Sequence, residues 1–587
     1  MFSKWATASL LALSSLTSQA SAISRQHWHK RSEQLYLPKE VNDYKIATAP
    51  NNVTIRYKNP GICESVPGVD SYAGYVDISP NVHVFFWFFE SRNNPAKDPL
   101  TLWLNGGPGS DSLIGLFEEN GPCMIDENLT AVFNPYSWNN ISNMLYISQP
   151  VGTGLSYQEE AVGSFNDASG DFHYNSSKWP AKGRYPISDP VNVGTIDTTD
   201  LAAIGAWVST KAWKISRCRS LIVSELFSMY FNLFTESYGG HYGPAFFRYF
   251  YEQNQKIENG SMPGYPINFN SLGLINAIID EYTQAEYYPE FAVNNSYGIK
   301  GYNDTVYSYA KFANNMRNGC LEQIINCRAS AEGNSSYYHV DRPITTEDLT
   351  PGVKSICSEA QSMCRDNVES PFYYYSGRGT YDIRHGREDP TPPGVYGDYL
   401  NQAEIQEALG VTLNYTGNNA LYFAFQNAGD FIYPNFRLDL EYLLNQGIRV
   451  SLAYGDADYI SGNWFGGEAI SLAVDYTHSK EFRAAGYQPM VVDGTEYGEV
   501  RQYGNFSFAR INEAGHEIPY YQPLAALAYF NRTLYHYDIA TGEIPVSANL
   551  TTSGSANATH TESFVPLTSS YIPQVPSPIY PATTSGY

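Results

Sequence analysis

Basic residues are scarce in this chain. Thirty-six Lys and Arg stand against 59 Asp and Glu, a formal net charge of −23. No basic cluster could track a phosphate backbone, and the charge opposes approach to nucleic acid or to an anionic membrane surface. No nucleic-acid partner is expected. Long apolar runs are also missing. Trp5 to Leu16 is mostly apolar but falls well short of the ~20 residues that cross a bilayer. Lys4 precedes it and Ala20-Ser21-Ala22 follows, so residues 1–22 read as a secretory signal peptide and no membrane span is expected. There is no internal repeat, and no cysteine pair has the short C-x2-4-C spacing that zinc prefers. Neither a metal nor a cofactor is expected.

Export makes the seven cysteines readable as disulfides. Cys320, Cys327, Cys357 and Cys364 form two C-x6-C pairs, a symmetry that suits nested bridges, Cys320 to Cys364 and Cys327 to Cys357. Cys63 then pairs with Cys123 by elimination, and Cys218 is left odd. N-x-S/T sequons at Asn128, Asn140, Asn303 and Asn531 fit an exported glycoprotein. The dibasic Lys30-Arg31 offers a processing site.

Residues 23–60 are polar and irregular and read as an N-terminal arm or pro-segment. Tyr72–Ser79 and Val82–Glu90 read as a β-hairpin around Pro80-Asn81. Short apolar strands follow at Pro99–Leu104, Asn143–Ser148, Leu272–Ile279 and Arg449–Tyr454. Helix-compatible stretches such as Thr198–Trp207, Tyr242–Tyr251 and Pro523–Phe530 alternate with them. That pattern predicts an α/β fold with a mainly parallel central sheet covered on both faces. Residues 61–280 form its first part and 421–540 its second. Between them, residues 281–420, rich in Tyr and Asn and bearing the cysteine set, read as an inserted cap. Residues 541–587, rich in Ser, Thr and Pro, read as a disordered, O-glycosylated tail.

Phe231 to Ala245 is the stretch around which a chemistry can be built. An apolar run ends in Thr235-Glu-Ser-Tyr-Gly-Gly240, and a Phe-rich segment follows. This is the layout of a nucleophile elbow, although Thr235 stands where a glycine is usual. A serine nucleophile needs a base and a group to orient it. Downstream, in the order expected for an α/β-hydrolase, lie Gly455-Asp-Ala-Asp458 and Ala514-Gly-His516. Each alone reads as a turn or a surface histidine; in order they read as a triad. The Gly-rich Asn105-Gly-Gly-Pro-Gly109 exposes backbone N–H groups of the kind that stabilise an oxyanion. Gly152-Thr-Gly154 lacks the continuation that a dinucleotide site requires.

Together, Trp103-Leu-Asn-Gly-Gly-Pro-Gly109, Gln149-Pro-Val-Gly-Thr-Gly154, Glu236-Ser-Tyr-Gly-Gly240, Gly455-Asp-Ala-Asp458 and Ala514-Gly-His516 resemble the serine carboxypeptidases. The similarity is to the fungal carboxypeptidase S1-like branch and runs from about residue 60 to about 535. The resemblance implies an α/β-hydrolase that removes C-terminal residues from peptides and proteins. It implies Ser237 as nucleophile, His516 as general base, Asp458 as its orienting partner and Asp456 as structural. It places the oxyanion hole at the N–H groups of Gly107 and Tyr238. Substrate-carboxylate recognition falls to Trp103, Asn105, Gly106, Glu119 and Glu236. An acyltransferase or esterase on the same fold is the alternative. A catalytically impaired glycoprotein is a third reading, if residues 208–230 displace the elbow.

The chain departs from that family at several positions. Ser110 and Ser461 stand where many relatives carry cysteines, and Ser148 replaces an aspartate common before Gln149-Pro150-Val151. Glu517 directly follows His516, and an acid there is a candidate S1′ group favouring a C-terminal Lys or Arg. Val208 to Ser220 is basic, holds Cys218 and lacks clean helical periodicity. It reads either as a retained intron, since a GTGAGT splice donor encodes Val-Ser, or as a divergent loop. Sequencing the transcript across codons 208–230 decides between them: a retained intron predicts a spliced message without these codons.

Overall fold

The computed structural model describes residues 43–49, 53–166, 171–174, 182–187, 196–220, 230–332, 349–389, 391–417 and 420–567. The expected signal peptide and the Lys30-Arg31 site lie outside them. Twelve strands form one sheet. From one edge to the other they run Lys45–Thr48, Thr54–Lys58, Ser71–Ser79, Val82–Phe89, Asn143–Ile147, Leu100–Leu104, Tyr230–Glu236, Asn268–Ile275, Arg449–Gly455, Phe506–Ile511, Thr495–Tyr503 and Gln488–Val492. The six strands from Asn143–Ile147 through Phe506–Ile511 are mutually parallel, and antiparallel strands extend both edges.

The parallel strands are buried over most of their length. Leu100–Leu104, Asn143–Ile147 and Arg449–Gly455 have every residue buried, as expected where helices cover both faces. Because all six point the same way, the segments after Leu104, Glu236, Ile275, Gly455 and Ile511 emerge on a single edge, where α/β sheets bind ligands.

Three expectations are corrected here. The N-terminal arm is not wholly irregular: Lys45–Thr48 and Thr54–Lys58 pair antiparallel and join the sheet through Ser71–Ser79. Their polar sequence suits an outermost strand, whose outer face is open to water. Val208–Ser220 is helical, the second half of a helix Thr199–Ser220. Ala202, Ala203, Ala206 and Trp207 bury its first half, and Trp207 packs on Phe250 with ring centroids 5.2 Å apart. The described part of the tail, to residue 567, is bonded to the body. It is held by main-chain hydrogen bonds, which composition does not report.

Between Asn268–Ile275 and Arg449–Gly455 the inserted region is helical, including Cys320–Glu332 and Pro351–Cys364. Seven residues are close to two full turns, so each C-x6-C pair presents both cysteines on one helix face. The two helices pack face to face through Cys320–Cys364 and Cys327–Cys357, and Cys63 is bonded to Cys123. Cys327 and Cys357 lie 30 residues apart. Replacing both with Ser should lower stability by about 3 kcal/mol, read from the denaturant midpoint; an unchanged midpoint would show that packing alone holds the helices together.

Candidate active site

Strand Tyr230–Glu236 leads into Ser237, whose φ is +63°, and helix Gly239–Glu258 begins two residues later. A left-handed backbone is strained for a residue with a Cβ. Ser237 N–H donates to Ile275 O at 3.1 Å, while Ile278 N–H and Gly240 N–H donate to Ser237 O at 2.9 Å each. The glycine missing at Thr235 is made good elsewhere. Thr235 Oγ1 donates to Gly239 O at 2.7 Å, and a Cβ at Gly239 or Gly243 would lie 2.6 Å from Thr235 Cβ or 2.7 Å from Thr235 Oγ1. The space that the turn needs comes from the helix side.

His516 is 6% exposed. Its Nδ1 lies 2.9 Å from Asp458 Oδ2, which also accepts from Asn276 Nδ2 at 2.7 Å. Ile460 N–H donates to Asp458 Oδ1 at 3.1 Å. These bonds orient the carboxylate, and the carboxylate in turn fixes which imidazole nitrogen carries a proton. The other nitrogen, Nε2, is 3.9 Å from Glu236 Oε1. Ser237 Oγ lies 3.4 Å from Ser461 Oγ. Ser237, His516 and Asp458 thus stand at three separate strand ends on one edge; His516 is bonded to Asp458, while the Ser237 hydroxyl faces Ser461. Asp456 points away to Tyr297 and Arg510.

Gly106 and Gly107 lie against the elbow: a Cβ on Gly106 would sit 2.3 Å from Tyr238 N. Neither Gly107 N–H nor Tyr238 N–H has an acceptor among the described residues. The Tyr238 phenol is anchored by donating to Asp430 Oδ2 at 2.6 Å. Asp430 also accepts from Thr199 N–H at 3.0 Å, holding the start of helix Thr199–Ser220.

Asn105 is the hub of the remaining residues. Its Oδ1 accepts from Trp103 Nε1 at 2.8 Å and from Gly115 N–H at 2.9 Å. Its Nδ2 donates to Glu119 Oε1 at 3.0 Å and Glu236 Oε1 at 3.1 Å. Both carboxyls are buried, and their Oε2 atoms have no partner among the described residues. Burial first, then the proximity of Glu119, pushes Glu236 well above the usual carboxyl range. Burial raises Glu119 as well, against the pull of its neighbours Glu236 and Asn105. Two such groups share a proton rather than both ionise.

Glu517 is joined by Glu118, which the sequence reading passed over although it sits beside Glu119. Both are partly open to solvent. Each is pushed well up by burial first, then by neighbouring carboxylates, and Glu517 Oε2 and Glu118 Oε1 lack partners among the described residues. The aspartate missing at Ser148 also reappears. Ser148 Oγ donates to Asp111 Oδ1 at 2.8 Å, so the buried carboxyl now comes from the other loop. Asn276, Tyr381 and Asp430 were likewise not read as site residues. Asn276 ends an apolar run with a φ of +43°, and Tyr381 O accepts the His516 N–H at 2.8 Å.

Burial holds Asp111 and Asp456 up at about 6 and Asp430 at about 7. A carboxyl with a raised folded pKa stabilises the fold fully below its unfolded value of ~4, and that contribution is lost as pH rises through the folded pKa. The melting temperature should therefore fall between about pH 4 and about pH 8. A flat or rising curve over that window would contradict these environments.

The serine carboxypeptidase family model matches residues 60–189 and 219–536. The skipped interval takes in most of the atypical stretch that ends at Ser220. Carboxypeptidase S1 homolog A of Arthroderma otae is 39% identical over 90% of this chain and 84% of its own. Carboxypeptidase S1 of Penicillium janthinellum is 36% identical, over 81% of this chain and 98% of its own. Among solved structures, the prohormone-processing carboxypeptidase Kex1 of Saccharomyces cerevisiae superposes with a TM-score of 0.56 at 19% identity, covering 78% of this chain and 90% of that one. That match supports the α/β-hydrolase fold. The chain belongs to the serine carboxypeptidase family.

Proposed function

We propose that this enzyme is exported and removes C-terminal residues through an acyl-enzyme, with its best activity at acidic pH. Ser237 Oγ attacks the carbonyl carbon of the last peptide bond while His516 Nε2 accepts the hydroxyl proton. The negative oxygen of the tetrahedral intermediate receives the N–H groups of Gly107 and Tyr238. His516 then protonates the departing amine, the C–N bond breaks, and the acyl group remains on Ser237. Water, deprotonated by His516, releases it.

The observation that carries the exopeptidase reading is the Asn105 hub. It holds Glu119 and Glu236 together beside Ser237 and His516. A shared proton lets this pair donate to the carboxylate at the end of a peptide, with Trp103 and the backbone at Gly106 completing the recess. An esterase or acyltransferase need not retain such a lock. The elbow forms beside helix Thr199–Ser220, which argues against the impaired-glycoprotein reading.

Ser237→Ala should abolish labelling by a fluorophosphonate probe and lower peptide turnover by about 10⁴-fold or more; residual labelling would place the nucleophile elsewhere. Peptide hydrolysis should decline as pH rises through the pKa of the acid pair, and hydrolysis of esters lacking the carboxylate should decline less. A flat peptide profile from about pH 4 to about pH 8 would reject the lock.

Glu118 and Glu517 suit a cationic side chain on the leaving residue. Release of C-terminal Lys over Leu should weaken in Glu517→Met and weaken further when Glu118→Gln is added. An unchanged preference in the double variant rejects that role.

A further inference from the structure

The family match stops at residue 536, but the chain beyond it remains attached to the body. Val546 N–H donates to His536 O at 2.7 Å, Gly504 N–H to Leu550 O at 2.8 Å, and Tyr487 N–H to Ser555 O at 2.6 Å. Close approach is possible because a Cβ on Gly486 would lie 2.6 Å from Gly554 N. The segment then runs past three arginines. Arg501 Nη2 donates to Ala556 O at 2.7 Å, Arg510 Nη2 to His560 O at 2.8 Å, and Arg378 Nη2 to Val565 O at 2.8 Å. Each arginine is 5% exposed or less. Without the segment, three buried guanidinium groups would lose an acceptor, which is costly for a buried charge.

Two of these arginines lead directly to the acid–base pair. Arg510 lies 3.6 Å from Asp456 Oδ2, two residues before Asp458. Arg378 Nη1 donates to Ile383 O at 2.8 Å and so closes the loop 378–383. That loop is the clamp over the triad. Thr380 O accepts from Tyr459 N–H and Ile460 N–H at 3.0 Å each, Ile383 N–H donates to Ala457 O at 2.9 Å, and Tyr381 O accepts the His516 N–H. The Tyr381 ring packs 4.9 Å from the imidazole.

We propose that residues 551–565 are a strap that sets the position of Asp458 and His516, with Arg378 and Arg510 as the positioning residues through which it acts. The proposal rests on the assignment of His516 as the base. It makes a cut in the tail, far from the substrate, a way to turn the enzyme down. Small displacements suffice, because misplacing a catalytic group by about 1 Å costs up to about a hundredfold in rate.

The test uses the full chain with a site-specific protease sequence inserted after the exposed Ser547, compared before and after cutting. Mass and size-exclusion measurements establish release of the fragment. Cutting should lower kcat about tenfold or more with KM little changed, shift the acid limb of the pH–rate profile, and slow fluorophosphonate labelling of Ser237. Adding a synthetic peptide of residues 548–567 should restore all three. Should the fragment stay bound, Arg378→Ala must show the same losses and Arg378→Lys a partial recovery. Full activity and an unshifted profile after release, or in Arg378→Ala, would overturn the proposal. If the uncut protein labels at Ser237 but releases no C-terminal residue, the peptidase reading fails, and the labelling rate still tests the strap.

Discussion

The site depends on keeping Ser237 in a backbone conformation that it would not choose. Its amide is fixed by the end of the neighbouring strand at Ile275, and its carbonyl by Ile278 and Gly240. The strain is carried by the parallel sheet, whose buried strands cannot slide without moving their whole hydrophobic set. Everything chemical follows from that anchorage. Glu236 must precede the serine, Tyr238 must follow it, and the loops after Leu104, Gly455 and Ile511 must end at the same edge.

A second theme is negative charge without counter-ions. Glu119, Glu236, Glu118 and Glu517 lie in the region of His516, and no lysine or arginine pairs with any of these four among the described residues. Elsewhere buried acids are held in two ways: Asp456 faces Arg510 and Tyr297, whereas Asp111 and Asp430 are held by neighbouring hydroxyl groups. Burial pushes all four carboxyls toward the protonated form. On the proposed function, that is how a strongly anionic protein can receive an anionic chain end.

Much of this was legible in the sequence, because the parallel strands are short apolar runs and the motifs lie at their ends. The helical first half of Thr199–Ser220 and the nested cysteine pairs were legible for the same reason: local pattern and local structure agree. What was missed fails that condition. The edge strand Lys45–Thr48 is mostly exposed and so carries no apolar run, and the neighbouring Thr54–Lys58 buries only Ile55 completely. The hairpin joining Gln488–Val492 to Thr495–Tyr503 turns at Asp493-Gly494, both with positive φ, a dipeptide whose turn preference was there to be read. Thr235 looked like a defect in the elbow, although the room came from Gly239 and Gly243. The tail and the Tyr381 loop act through backbone carbonyls, which every sequence has.

A carboxypeptidase works on chain ends that are extended and free. Here the last described stretch lies against the body with the carbonyls of Ala556, His560 and Val565 engaged by buried arginines. A stretch held in this way is not a free, extended chain end of the kind a carboxypeptidase shortens.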